Sequence, residues 1–124
     1  MSHMPLVVTK DFLNEMKEKY GNDTAVSGYA EQSKLLSIPV PKFYIVVLDE
    51  TNLTLIQLNF KLEEKVATVI PIGSIESFNL SGLYMKKVVF KTGDQTYKLV
   101  IRPTLIGIKE HQTVLIRKLE MLNR

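Results

Sequence analysis

A chain without cysteine must find any covalent or acid–base chemistry among its histidines, carboxylates, hydroxyls and lysines. This 124-residue sequence has no Cys and only two His. Thiol nucleophiles, thiolate metal sites, disulfide staples and redox switches are therefore excluded. His3 lies in the opening Met1-Ser2-His3-Met4, which reads as a cloning remnant ahead of a native Met4 (residues 1–4). His111 remains, between Glu110 and Gln112, with no second His and no acid cluster at ligand spacing, so it reads as a helix-surface residue. Asp49-Glu50 and Glu63-Glu64 are paired acids. Catalytic carboxylates need a desolvated cleft with opposed environments, and both pairs fall in expected turns, where solvated charge is the simpler reading. Gly73, Gly82, Gly93 and Gly107 match neither a phosphate loop nor a dinucleotide fingerprint. No enzyme, metal site or cofactor is expected.

The residues that do gather are basic and apolar. If Gly93-Asp94 makes a two-residue hairpin turn, Phe90 faces Tyr97 and Val88 faces Leu99, which collects the large apolar groups on one side. The other side then carries Met85, Lys87, Val89, Lys91, Lys98, Val100 and Arg102, with Lys98 opposite Val89 and diagonal to Lys87 and Lys91. Like charges so close weakly oppose the hairpin unless an anion or acidic partner offsets them. Lysines that only solubilise an outer face would serve as well. The interleaved Met85, Val89 and Val100 are what mark a contact surface.

The elements that must present this surface follow from periodicity. Thr9 stands as an N-cap before Phe12, Leu13, Met16 and Tyr20 at helical spacing, and Gly21 stands where a left-handed C-terminal residue is wanted. Asp11, Glu15 and Glu18 mark the helix's other face. From Thr24 to Arg102 the pattern turns strand-like, and seven strands are expected: Thr24 to Glu31, Phe43 to Leu48, Leu53 to Phe60, Val66 to Ile70, Ile75 to Leu80, Tyr84 to Lys91 and Gln95 to Arg102. Pro39 and Pro41 mark the loop after the first. Phe43 to Leu48 is apolar on both alternating faces, so the N-terminal helix should cover its outer side. Ile108, Leu115, Leu119 and Leu122 restore helical spacing after Pro103 and should plug the sheet.

Composition bounds the rest. Residues 5–124 form one expected domain, and 45% hydrophobic with 23% charged residues is an ordinary globular balance. A net charge of +3 falls short of the concentrated charge of nucleic-acid binders. No apolar run approaches the ~20 residues of a membrane span, and a cytoplasmic protein is the simplest expectation.

The strand order, the bend Ile70-Pro71-Ile72-Gly73-Ser74-Ile75-Glu76-Ser77, the Gly-Asp hairpin and the single C-terminal helix together resemble bacterial pleckstrin-homology-like and GRAM-like domains. The resemblance spans Thr24 to Leu122. It implies a mainly β fold, a pleckstrin-homology-like antiparallel barrel of about seven strands capped by a C-terminal helix, and a role as an adaptor for lipids, peptides or other domains. Phosphoinositide-binding members carry closely spaced Lys and Arg in their first hairpin, whereas Thr24 to Ser33 has none and only Lys34 and Lys42 flank the loop. The function expected is a non-enzymatic binding or scaffold module for protein association, self-association included. The alternative is a membrane-surface or anionic-ligand module using the basic hairpin face.

Overall fold

The computed structural model describes residues 7–33 and 42–123; the opening remnant, Lys34 and the Pro39–Pro41 loop lie outside them. Helix α1 spans Lys10–Tyr20, and the strands are β1 Val26–Gln32, β2 Phe43–Leu48, β3 Asn52–Leu58, β4 Glu64–Pro71, β5 Ser77–Ser81, β6 Lys86–Thr92 and β7 Gln95–Ile101. Helix α2 spans Lys109–Glu120. All seven strands join one antiparallel sheet in the order β4-β3-β2-β1-β7-β6-β5. The expected architecture is present, but the ladder does not close into a complete ring. β4 and β5 are its edges, linked in sequence by a short 3-10 turn at Ile72–Ser74 instead of by strand pairing.

The alternating apolar faces of β2 explain the layering. Val46 and Leu48 point into the main core with Leu55, Phe78, Phe90 and Leu99, and α2 fills this concave side with Leu115 and Leu119. Ile45 and Val47 point the other way, against Leu13 and Met16 of α1. Ile45 to Leu48 are all buried and Phe43 and Tyr44 half-buried, which is why the strand lacks the polar alternation of a half-exposed sheet. Phe90 stacks between Phe78 and Tyr97, with centroids 5.5 and 4.8 Å apart, so the ring cluster ties β5, β6 and β7 together.

Thr9 caps α1, its hydroxyl accepting from Phe12 N at 3.2 Å. Gly21, expected left-handed, is extended (φ −120°, ψ 175°). Glycine is required there by space: a Cβ would lie 2.3 Å from the Ala25 Cβ and 3.0 Å from Val47 Cγ1. Strand ends also differ from the expected ones. Phe60 falls in the Asn59–Glu63 turn, where Asn59 Oδ1 accepts from Lys61 N and Glu63 N at 2.9 and 3.0 Å. Tyr84 and Met85 precede β6, because the positive φ of Gly82 (108°) holds the chain in a tight bend before pairing begins.

Candidate functional site

The expected hairpin register is present. Phe90 pairs with Tyr97, Val88 with Leu99 and Val89 with Lys98, and only the two residues Gly93 and Asp94 separate the Thr92–Gln95 pair. Gly93 takes φ 58°, a conformation that a tight hairpin turn demands and glycine adopts without strain.

Lys87, Val89, Lys91, Lys98 and Val100 share the outer face of β6 and β7, while Met85 and Arg102 flank it just outside the two strands. Lys87, Lys91 and Lys98 are exposed, and Val89 is 39% exposed. Val100 is half-buried, because it sits in a cross-strand row between Lys87 of β6 and Glu31 of β1. Arg102 is already engaged: its Nε lies 3.3 Å from Glu31 Oε1, and Nη1 donates to Met85 Sδ at 3.1 Å. Among the described residues, the three lysines are the cations of this face that make no ion pair. On β5, Ser77, Asn79 and Ser81 extend the same face with uncharged polar groups.

Glu31 is the residue that the sequence reading passed over, since its place beside Arg102 depends on the β1–β7 crossing. It also accepts from the Tyr29 hydroxyl at 3.3 Å. Burial raises the Tyr29 pKa well above its ordinary 10, the neighbouring Glu31 raises it further and Arg102 opposes the shift, so the hydroxyl keeps its proton. Two grooves meet at Glu31. One, of about 430 Å³, runs past Phe43, Met85, Lys87 and Arg102. The other, of about 500 Å³, is mostly apolar and includes Val8, Leu62, Leu105 and Ile108.

Asp49, Glu63, Glu64 and His111 hold local structure. Asp49 is buried, unlike the solvated turn charge expected of it, and its carboxylate accepts from Thr51 N and Asn52 N, each at 2.8 Å, and from Asn22 N at 3.3 Å. Glu63 accepts from Asn59 Nδ2 at 3.0 Å. Glu64 lies in β4, not in the turn, and ties that strand to α1 by pairing with Lys19 at 2.8 Å and accepting from the Tyr20 hydroxyl. His111 is half-buried between the helices, with Nε2 2.9 Å from Asn14 Oδ1. Burial lowers its pKa below the usual 6.5, and Lys17 and Lys10 add to this against Glu110. Among the described residues no group of three acids or histidines comes together as a metal set, and no helix is long and apolar enough to cross a membrane.

No family model matches the chain, and no curated protein matches it. Among solved structures, the N-terminal PH domain of human ARAP2 is similar over 82% of this chain and 82% of that one, at 17% identity with a TM-score of 0.48.

Proposed function

We propose that this protein is a non-enzymatic binding module that holds an acidic, partly apolar segment of a protein partner on the outer face of β5, β6 and β7. The observation that carries the reading is an asymmetry of cover. α1 lies over the outer face of β1 and β2, burying Leu13 and Met16 against Ile45 and Val47. The outer face of β6 and β7 has no such cover among the described residues, and it presents three lysines around Val89. Cross-strand lysines at this spacing repel one another, and a carboxylate-bearing segment laid across them relieves that repulsion while covering the valine. The resemblance of the Ile70–Ser77 bend to bacterial pleckstrin-homology-like and GRAM-like domains supports an adaptor role of this kind.

The acids of α1 in the same molecule are not the partner. The helix is committed to β1 and β2, and its acidic residues Asp11, Glu15 and Glu18 face solvent there.

The test uses as probe a labelled peptide that carries Glu, Leu and Glu at alternate positions with Ser between them, so that acids and leucine share one face of the extended chain. The parent should bind it, added salt should weaken the binding, and Lys87→Gln, Lys91→Gln and Lys98→Gln together should abolish it with the unfolding midpoint preserved. Equal binding by parent and triple variant would sink the reading.

One observation favours a second reading, contact with an anionic membrane surface. Leu83 and Tyr84, at the bend before β6, are each 87% exposed and are followed by Lys86 and Lys87. An apolar tip beside cations suits the headgroup boundary of an acidic bilayer. Sedimentation with phosphatidylserine vesicles, lost in Leu83→Ser/Tyr84→Ser but kept in the triple Gln variant, would assign the function to that tip instead of to the hairpin face.

A further inference from the structure

The two sheet edges are finished differently. On β5, the Leu80 N–H is taken by Asn123 Oδ1 at 2.8 Å, so the chain following α2 guards that edge. β4 bonds to β3 on one side and has no strand on the other among the described residues. The bond from Ile72 N to Thr51 O (2.9 Å) and the unbroken register from Asn52–Pro71 to Gln57–Val66 set the alternation. Val66, Thr68 and Ile70 turn their backbone groups toward β3, while Ala67 and Val69 turn theirs outward.

This open window has defined ends. Pro71 lacks an N–H, and Lys65 is the extra residue of the bulge between the Gln57–Val66 and Leu58–Glu64 pairs. Both features block a long added strand. Between them no residue is charged, and the edge is flanked by Val66 on one face and Val69 on the other, 52% and 55% exposed. A partner strand must therefore be short and extended, and apolar side chains suit the two valines that flank it.

We propose that the partner is β4 of a second copy, paired about a two-fold axis through Thr68. This register sets Ala67 of each chain opposite Val69 of the other, so every outward N–H and C=O of the window meets one from the second copy. Centring on Ala67 instead would bring Val69 against the bulged Lys65, and centring on Val69 would bring Ala67 against Pro71. The Thr68 register alone uses both open residues and keeps the lysines of the two chains apart. Val66 then faces Ile70 of the second copy, and the two sheets continue into one. This interface is separate from the lysine face and does not depend on the acidic-partner reading.

Sedimentation equilibrium of the full chain, from low to high micromolar concentration, tests the inference. A reversible monomer–dimer equilibrium is expected. Ala67→Pro removes an outward donor that the β3 ladder does not use and should weaken the dimer at least about tenfold. Val69→Lys, which leaves the backbone unaltered, should do the same and covers the case in which the proline variant does not fold. The triple Gln variant of the hairpin lysines should dimerise like the parent. A parent that stays monomeric throughout, or dimerisation untouched by Val69→Lys, overturns the inference. So does a dimer lost only with the lysines, which would place self-association on the hairpin face.

Discussion

Asp49 shows how a residue that looks like surface charge becomes a structural one. The β2–β3 turn leaves the Thr51 and Asn52 N–H groups pointing inward, and the chain leaving α1 adds the Asn22 N–H; one carboxylate satisfies all three. Burial by itself would raise its pKa, but the bonds from Asn52, Thr51 and Asn22 outweigh it and hold the carboxyl below its usual 3.8. The folded state therefore binds fewer protons than the unfolded chain in the window just below that value. The carboxylate's contribution is complete above the ordinary range and is lost as pH falls through the lowered folded value. Asp49→Ala should cost about 2 kcal/mol at neutral pH. Asp49→Asn, which keeps one acceptor oxygen and cannot titrate, should narrow its stability gap to the parent as the pH is lowered from about 5 to about 2. Urea unfolding at several pH values checks this, and a gap independent of pH would mean the carboxylate charge is not what the turn uses.

At the scale of elements, α1 was legible as an amphipathic helix, and its stripe does dock on the outer face of the sheet. Its depth was not legible. Leu13 and Met16 are fully buried, whereas Phe12 and Tyr20 are only half-buried at the margins of the contact. The buried Ser27 hydroxyl reinforces the docking by donating to the Leu13 carbonyl at 2.9 Å. Leu13→Ala and Met16→Ala should each cost about 3 kcal/mol, and Phe12→Ala clearly less, despite the larger side chain removed. Chemical denaturation of the three variants gives the order. A Phe12 variant as costly as the Leu13 one would show that the helix is rolled relative to the sheet in solution.

The whole molecule depends on how two runs of strands, β1 to β4 and β5 to β7, are joined. Among the described residues β1 and β7 pair through Glu31–Val100 and Gln32–Leu99, with Ser33 N donating to Lys98 O at 2.8 Å, and toward Tyr29 the strands part. Gln112 of α2, fully buried, enters this gap: its Oε1 accepts from Tyr29 N at 2.7 Å, and its Nε2 donates to Tyr29 O at 2.9 Å and to Arg102 O at 3.1 Å. A side-chain amide thus stands in for the missing ladder. Gly28 lets the helix come close enough, since a Cβ there would lie 2.5 Å from Leu115 Cδ2 and 2.6 Å from Gln112 Oε1. Gln112→Leu keeps the volume but strands those backbone groups, and should cost about 3 kcal/mol with a matching loss of amide protection at Tyr29. An unchanged midpoint with Tyr29 still protected would mean that packing alone holds the junction.

The element types, the Phe90–Tyr97 register and the two-sided cover of β2 were legible in the residues alone, because each rests on local periodicity or on a two-residue turn whose geometry admits few alternatives. That the sheet stays open at β4 and β5, that Glu31 neutralises Arg102 and that Gln112 bridges the gap emerge from the folded packing instead. The Glu31–Arg102 and Tyr29–Gln112 contacts join residues 71 and 83 positions apart, and neither helical nor strand periodicity carries information over that separation. A lone glutamine in a helix and a lone glutamate in a strand look the same in sequence whether they face water or complete a core.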